Sequence, residues 1–305
     1  MATARTLHIA SAQYPIGEPQ SLLEWEDKIC DWVEAGAETG AQLLVFPEYA
    51  AIEQAACFGP EVYGDLSATL EKVAGLAGRR VELHAQLAAK YGVHILVGSG
   101  PEKRSDGRFV NAAQLVTPTG AIGVQEKIIM TPFERSWGIS GGSPLRVFDT
   151  VLGKLAVLIC YDSEFPLLGR ALAEAGAEVV LVPSCTERVS GFHRVRTGSM
   201  ARALENTFAT VQSPTVGDAL WSPAVDRNEG AAGIYVPSEH GVSDTGVIAQ
   251  GELNAAQWVT GTIDLSRLQR VRETGEMRNY ADWSVQPGAG SPQALAGGVE
   301  AVSMK

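Results

Sequence analysis

Leu155-Ala-Val-Leu-Ile-Cys-Tyr-Asp-Ser-Glu-Phe-Pro166 is the part of this 305-residue chain that indicates its fold class most directly. The apolar run from Leu155 to Cys160 has the composition of a buried strand, and it ends in a polar turn. A helical pattern follows over residues 165–176, and a second strand pattern covers residues 178–182. A strand, a helix and a strand in this order predict an α/β protein.

The same alternation of short apolar runs and longer amphipathic ones continues in both directions. Residues 6–12 and 42–46 have strand patterns, and residues 21–38 between them carry apolar side chains at helical spacing. Because hairpin patterns occur beside crossover helices, a layered α/β fold is favoured over a purely parallel sheet. The other predicted elements are helices over 66–91 (interrupted near Gly75 and Gly78) and 194–206, and strands over 93–99, 110–117, 123–129, 145–148, 154–160, 208–212, 233–236 and 257–263.

Composition and patterning bound the domain organisation. No internal repeat and no long linker divides the chain, so we predict one domain over residues 1–285. Residues 286–305 are rich in Gly, Ala and Pro and have little apolar surface to bury, so we expect a poorly ordered or extended tail. The cysteines lack paired spacing and no secretory signal begins the chain, which favours a reduced cytoplasmic protein.

Several classes of protein are excluded at this stage. The chain has 24 Lys and Arg against 35 Asp and Glu, a net charge of −11, and no basic stripe to neutralise phosphates, so nucleic-acid binding is not expected. No apolar run approaches the ~18–20 residues of a membrane span, so no membrane association is expected. No His or Cys motif predicts a metal site, and we expect no cofactor.

Three reactive side chains occur just after or late in apolar strand patterns, where loops on a rigid sheet commonly carry function. Glu48, Lys127 and Cys160 occupy these positions. A thiol becomes a strong nucleophile when a cation or a helix N-terminus favours the thiolate, and Lys127 and the helix after Cys160 could supply both. Glu48, in apolar surroundings, could carry protons, and Lys127 could stabilise an oxyanion together with the backbone N–H of Tyr161.

Each of these residues also has a structural interpretation. A cysteine that ends an apolar strand is usually a small buried hydrophobe, and Cys185 has nearly the same context as Cys160. Glu48 alone could be a helix cap or one member of an ion pair, and Lys127 could be a surface lysine. Of the histidines, His193 and His240 are placed where they could line a pocket, but a Cys–His arrangement needs a spatial partner that the sequence does not show.

Taken together, three motifs resemble the nitrilase, or carbon–nitrogen hydrolase, superfamily. They are Phe46-Pro47-Glu48, Glu126-Lys127 with Pro132-Phe133-Glu134, and Ile159-Cys160-Tyr161-Asp162, in the order that the family has. The resemblance covers about residues 6–265, including the segment 201–206. It implies a four-layer αββα sandwich that pairs across subunits, and hydrolysis of non-peptide C–N bonds without a metal or cofactor.

Carried over by position, the resemblance assigns a role to each motif residue. It implies that Cys160 is the nucleophile, Glu48 the general base and acid, and Lys127 the oxyanion stabiliser. Glu134 matches a second glutamate that many members use to position the lysine and the substrate. The expected substrate pocket adds a set of residues near these motifs: Tyr49, Phe133, Ser184, Cys185, Thr186 and His193.

The residues after the cysteine bear on the choice of subfamily. Tyr161-Asp162 is similar to the amidase-like branches, whereas nitrile-cleaving members typically have Trp-Glu there. Many amidase-like members carry Arg where this chain has Glu164, and Glu where it has Leu167. Residues 160–166 with Pro183-Ser-Cys-Thr186 look most like the branch often fused to an N-terminal acetyltransferase, of which this chain would be an unfused relative.

The leading hypothesis is therefore an amidohydrolase that acts on a small linear amide and releases ammonia. Carbamoyl-amine and nitrile substrates are alternatives, and so is a non-catalytic member that binds a small ligand.

The helices predicted over 165–176 and 194–206 have wider apolar surfaces than one sheet contact needs, which favours a homodimer or a larger even-numbered assembly. The alternative is that the C-terminal tail covers this surface within one chain.

Overall fold

The computed structural model describes residues 5–142 and 144–290. The strands are β1 (Thr6–Pro15), β2 (Leu43–Val45), β3 (His94–Lys103), β4 (Phe109–Val116), β5 (Ile122–Glu126), β6 (Ile139–Ser140), β7 (Val147–Thr150), β8 (Gly153–Val157), β9 (Val179–Ser184), β10 (Ala209–Asp218), β11 (Arg227–Asn228), β12 (Gly233–Tyr235), β13 (Val247–Gln250) and β14 (Gln257–Asp264). The α-helices are α1 (Leu22–Glu38), α2 (Pro60–Tyr63), α3 (Leu66–Gly75), α4 (Ala77–Tyr91), α5 (Pro132–Trp137), α6 (Pro166–Glu174), α7 (Val189–Asn206) and α8 (Leu265–Thr274). Short 3₁₀ helices cover Ala50–Phe58, Cys160–Glu164 and Ala281–Val285.

Two sheets lie at the centre of the fold. The strand order of the first sheet is β5-β4-β3-β2-β1-β14, with the short β6 beside β4. The order of the second is β7-β8-β9-β10-β12-β13, with β11 beside the end of β10. Parallel pairing of Tyr14 with Thr215 and of Pro15 with Val216 joins β1 to β10. The two sheets are therefore linked through β1 and β10.

The side chains of β1 show how the layers are held together. Leu7 and Ile9 belong to one apolar cluster with residues of the second sheet such as Val180. Ala10 belongs to another cluster, which includes Trp25 of α1. Successive residues of a strand point to opposite faces, so β1 contributes to the core between the sheets and to the core beneath the helices. All residues from Ile9 to Tyr14 are buried, including the polar Ser11 and Gln13.

Helices cover the outer face of each sheet. Side chains of α1, α3 and α4 pack in the cluster that contains the outer face of the first sheet. Side chains of α6 and α7 pack with the second sheet, in the cluster that also fills the space between the sheets. The layers are thus helix, sheet, sheet and helix, and the prediction of an α/β fold of the αββα type is confirmed.

Some predicted boundaries differ from the observed ones. The interruption predicted near Gly75 in the helical segment 66–91 is observed, because α3 and α4 meet at Leu76. The strand predicted to reach Cys160 ends at Val157, and α7 begins at Val189, five residues earlier than predicted. The sequence pattern did not indicate α5, α8 or the 3₁₀ helix Ala50–Phe58, because these segments are short or mixed in polarity. Most of the predicted tail, residues 291–305, lies outside the described residues.

Candidate active site

One cavity brings together the reactive residues that the sequence singled out. Glu48 follows β2, Lys127 follows β5, Glu134 lies in α5, and Cys160 begins the 3₁₀ helix after β8. All four line a cavity of about 350 Å³. Glu48, Lys127 and Glu134 are each about 1% exposed. The site is therefore assembled from four separate segments, and its charged groups are almost completely removed from water.

Lys127 forms ion pairs with both glutamates. Its Nζ lies 2.8 Å from Glu48 Oε1 and 2.7 Å from Glu134 Oε2. Asn111 also bridges the two carboxylates, because its Nδ2 donates to Glu48 Oε1 at 3.0 Å and to Glu134 Oε1 at 3.2 Å. Buried charges are stable only when they are paired and hydrogen-bonded, and this arrangement provides both.

The two carboxylates differ in how completely they are hydrogen-bonded. Glu134 accepts from Lys127, from the Tyr49 hydroxyl at 2.7 Å, and from both the backbone N–H and the hydroxyl of Thr131 at 2.9 Å. Glu48 Oε2, in contrast, accepts from the backbone N–H of Cys185 at 2.9 Å, and the carboxyl also interacts with the Cys160 thiol, which donates to the Cys185 carbonyl at 3.9 Å. Glu134 is thus held by more hydrogen bonds than Glu48, and Glu48 is the carboxyl beside the thiol.

The pKa shifts follow from this difference. Burial raises the pKa of the Glu48 carboxyl, and the Glu134 charge raises it further, against the opposing effect of Lys127. Burial also acts to raise the pKa of Glu134, but Lys127 and the hydrogen bonds lower it overall. Burial alone would lower the pKa of Lys127, yet the two carboxylates raise it well above its usual value. The charged forms of Lys127 and Glu134 are therefore favoured, whereas Glu48 is the carboxyl of this group whose protonated form burial favours.

The thiol of Cys160 behaves differently from the sequence prediction. Burial and the neighbouring Glu48 charge raise the pKa of the Cys160 thiol well above its usual value, and Lys127 only partly offsets this. Helix α6 begins at Pro166, and the 3₁₀ helix Cys160–Glu164 lies between it and β8. Lys127 acts on the thiol pKa in the expected direction, but burial is the larger influence, so the overall shift does not favour the thiolate.

Backbone strain is concentrated at the site. Cys160 has φ 50° and Tyr49 has φ 57°, in the left-handed region that costs a non-glycine residue of the order of 1–3 kcal/mol. Close glycine contacts support both segments. A Cβ on Gly198 of α7 would lie 2.8 Å from the carbonyl oxygen of Ser163, and a Cβ on Gly98 (φ 86°) would clash with the carbonyl oxygen of Pro47.

The predicted pocket residues fall into two groups. Tyr49, Phe133 and Cys185 line the cavity of about 350 Å³. Tyr161, Cys185 and Thr186 line a neighbouring cavity of about 180 Å³, which also contains Cys160. The structure does not place Ser184 at either cavity, since it is fully buried and its Oγ donates to the Ser213 carbonyl. His193 lies on the exposed side of α7 and borders an open depression, which shares Glu164, Ser190 and Arg194 with the smaller cavity.

Three residues near the site were assigned no role from the sequence. Asn111 gave no local signal, because it lies in an ordinary strand pattern of β4. Thr131 and Glu134 form a capping box at the start of α5, and the T-x-x-E spacing could have revealed it. Asp162 accepts from the backbone N–H groups of Ile128 and Ile129 at 3.1 and 2.8 Å, which ties the segment after Lys127 to the Cys160 helix.

Two kinds of feature are absent from the described residues. In residues 5–142 and 144–290, no group of three or more His, Cys, Asp or Glu side chains is arranged to hold a metal ion. In the same part of the chain, no helix is both long and apolar enough to cross a membrane. All four cysteines, including Cys160 and Cys185, are free.

An αββα sandwich with a cysteine, a lysine and two glutamates around one cavity is typical of nitrilase-type hydrolases. The family model described as "Carbon-nitrogen hydrolase" matches residues 8–273, so the chain belongs to this family. This confirms the superfamily prediction and, at the level of the family, the prediction of a hydrolase acting on non-peptide carbon–nitrogen bonds.

Curated relatives and solved structures agree with this assignment. The chain is 35% identical over 281 residues to "Probable hydrolase YhcX" of Bacillus subtilis, covering 92% of this chain but only 54% of that protein. It is 30% identical to "Omega-amidase NIT2-B" of Xenopus laevis, covering 81% of this chain and 85% of the relative. The fold matches a carbon-nitrogen hydrolase from Helicobacter pylori G27 with a TM-score of 0.72 and 19% identity, over 88% of this chain and 93% of that one.

Proposed function

We propose that this chain is a cofactor-free thiol amidohydrolase that cleaves the C–N bond of a small linear amide and releases ammonia. The observation that carries the proposal is the single cavity in which Cys160 lies beside Glu48 while Lys127 is shared by two carboxylates. The similarity to an omega-amidase supports the choice of an amide over other C–N substrates. Cytoplasmic localisation stays a prediction.

In the first half of the reaction, Glu48 takes the thiol proton as the Cys160 sulfur attacks the amide carbon. The negative charge that develops on the amide oxygen is stabilised by Lys127 and the backbone N–H of Tyr161. Glu48 then gives the proton to the amide nitrogen, the C–N bond breaks, and ammonia leaves. The products of this half-reaction are ammonia and a thioester on Cys160.

In the second half, water attacks the thioester carbon while Glu48 accepts one of its protons. The C–S bond breaks, the carboxylate product forms, and the sulfur recovers a proton from Glu48. One water molecule is consumed in the whole cycle, and the cysteine returns to its starting state. The raised pKa of Glu48 suits this alternation between base and acid, since catalysis is most efficient when the pKa is near the working pH.

A substrate panel tests the proposed function. Purified protein would be incubated with short amides, N-carbamoyl amines, esters and nitriles, and ammonia and carboxylic acid would be measured. We expect amides to be hydrolysed most efficiently, with one equivalent of ammonia for each carboxylate. Preference for nitriles or carbamoyl compounds would replace the amidase proposal by one of those alternatives. Failure to turn over any compound would favour a ligand-binding member.

Cys160, and not Cys185, is expected to be the acylated residue. Both thiols border the site, and burial raises the pKa of Cys185 to about 12, so neither is a standing thiolate. Only Cys160 has Glu48 positioned to take its proton, because the Cys185 thiol is directed to Asn228 Oδ1 at 3.3 Å. Mass spectrometry after treatment with an activated ester should locate the adduct on Cys160, with Cys185→Ala as a control that still labels.

Loss of labelling in Cys185→Ala, or an adduct on Cys185 in the folded wild-type protein, would overturn this assignment. A Cys160→Ala variant should remain unlabelled under the same conditions. Iodoacetamide provides a second reagent, because its reaction does not depend on acyl recognition.

The protein is also proposed to be a homodimer or a larger even-numbered assembly. Leu167 of α6 and Leu204 of α7 are 57% and 42% exposed in the single chain. The alternative is that the C-terminal segment covers this surface within one chain. One contact supports it, because the Arg170 guanidinium of α6 stacks on Tyr280 and Trp283. Light scattering at micromolar concentration should give at least twice the chain mass of 32.3 kDa. A mass near that of one chain would rule out the dimer.

A further inference from the structure

Cys160 lies where two cavities meet. The larger one, of about 350 Å³, contains Glu48, Lys127 and Glu134. The smaller one, of about 180 Å³, contains none of these three residues. We call this second cavity the small lobe, and the residues that it shares with the larger cavity are Thr131, Cys160, Cys185 and Glu187. The groups that act on the amide oxygen and nitrogen are thus on one side of the sulfur only.

This division has a consequence for the orientation of a bound amide. The amide oxygen must face Lys127 and the amide nitrogen must face Glu48, so both atoms are directed into the larger cavity. The acyl chain is the remaining substituent of the carbon under attack, and the small lobe offers the space on the other side of the sulfur. A volume of about 180 Å³ equals that of roughly six water molecules, which is enough for an acyl chain of a few non-hydrogen atoms. The outer end of the small lobe is open, because Glu164, Ser190 and Arg194 also line the depression beside α7.

Opposite charges line the small lobe. Glu164, at the end of the Cys160 helix, and Arg194 of α7 approach each other only to 3.5 Å, longer than the ~2.7–2.9 Å of a strong charge-assisted hydrogen bond. The Glu164 side chain is 20% exposed and that of Arg194 is 62% exposed. Arg188 and Glu187, also 3.5 Å apart, add one charge of each sign nearer to solvent. A loose, balanced set of charges therefore lines the same cavity as Cys160.

We propose that the small lobe binds an acyl chain that ends in an α-amino acid group, so that the substrates are side-chain amides of short amino acids. This inference rests on the proposed amidase function. Arg194 binds the substrate carboxylate, since a guanidinium fork matches carboxylate geometry, and Glu164 binds the substrate ammonium. The weak contact between Arg194 and Glu164 is replaced by two ion pairs with the ligand.

Ligands of other charge match this arrangement less well. An acyl chain that ends in a carboxylate alone would draw Arg194 away from Glu164 and place two negative charges together. A chain that ends in an ammonium alone would pair with Glu164 but bring a second positive charge to Arg194. A neutral chain would gain neither ion pair. Specificity of this kind comes from groups that are left unpaired by the wrong ligand.

Four amides of similar length separate these cases. They are L-glutamine (zwitterionic), glutaric acid monoamide (anionic), 4-aminobutanamide (cationic) and butanamide (neutral). We expect kcat/KM for L-glutamine to exceed that of each of the other three by roughly tenfold or more, because only L-glutamine forms both ion pairs. A higher kcat/KM for any of the other three would overturn the proposal, whereas the amidase function would stand.

Variants test the two residues. In Arg194→Gln and in Glu164→Gln, the ratio of kcat/KM for L-glutamine to that for butanamide should fall roughly tenfold, mainly through KM. Arg196→Gln is the matched control on the same helix, because Arg196 donates to Gln250 and stacks on Tyr235 instead of lining the lobe. An unchanged ratio in both lobe variants, or an equal fall in the control, would contradict the assignment.

Calorimetric titration of L-glutamine into Cys160→Ala protein measures substrate binding in the absence of hydrolysis. Binding that is weakened by an added Arg194→Gln substitution supports the small lobe even if no amide is hydrolysed. Absence of binding, together with hydrolysis of neutral amides by the wild-type protein, would remove this substrate class and leave the amidase function intact. Absence of both binding and hydrolysis would contradict both.

Discussion

Glu48→Gln is expected to lower kcat by roughly 10²–10⁴, the usual contribution of general acid–base catalysis. Glutamine at this position keeps an oxygen for Lys127 and Asn111 but cannot accept the thiol proton of Cys160. Since the pKa of Cys160 is raised well above its usual value, no standing thiolate would substitute for the lost base. Ammonia release measures the rate, and a thermal melt shows whether the fold is retained.

The pH dependence gives this prediction a second measurement. Glu48 must be ionised to act as a base, so kcat/KM of the wild-type protein should fall as the pH drops through the Glu48 pKa. Burial raises that pKa above the usual 4.5 of glutamate, so the fall should begin at a higher pH than for an exposed glutamate. In Glu48→Gln the remaining activity should lack this acidic limb. Near wild-type activity, or the same acidic limb in the variant, would sink the assignment of Glu48 as the base.

The residues proposed to be catalytic were easier to find from the sequence than the residues around them. Glu48, Lys127 and Cys160 each follow a strand, and the sheets bring the ends of those strands to one cavity, so local motifs were sufficient to find them. Asn111 was missed because a polar residue within β4 looks like any other strand residue until its neighbours are known. The protonation state of Cys160 also depends on its distance from Glu48, which no local pattern contains.

Ser184 and His193 were predicted to line the substrate pocket, but they lie elsewhere for the same reason. The strand or helix that contains each of them has a different boundary from the predicted one, so the side chain lies on a different face. Strand β9 continues through Ser184, whose side chain turns toward Ser213 of β10 instead of toward the cavity. Helix α7 starts at Val189, so His193 falls within the helix, on a face that is open to solvent. The periodicity of a sequence shows which residues share a face of a strand or helix. A shift of one or two residues in the end of that element changes the face on which a side chain near the end lies.

Lys127→Met is expected to have an even larger effect on activity than the loss of a single oxyanion donor, which costs roughly 10²–10³ in rate. The substitution removes the charge that stabilises the oxyanion, and it also leaves two buried carboxylates, Glu48 and Glu134, without their cation. Breaking a buried pair in this way typically costs about 3–5 kcal/mol of folding stability. Activity and denaturant unfolding should therefore both change strongly.

The double variant Lys127→Met/Glu134→Gln separates these two effects. Glu134→Gln removes one of the two unpaired charges, so it should recover part of the folding free energy lost in Lys127→Met. It should not recover turnover, because the oxyanion still lacks its cation. The single variant Glu134→Gln should damage both rate and substrate affinity, since Lys127 and Tyr49 lose the carboxylate that positions them. Recovery of activity in the double variant would show that Lys127 matters only for folding, and the oxyanion role would have to be abandoned.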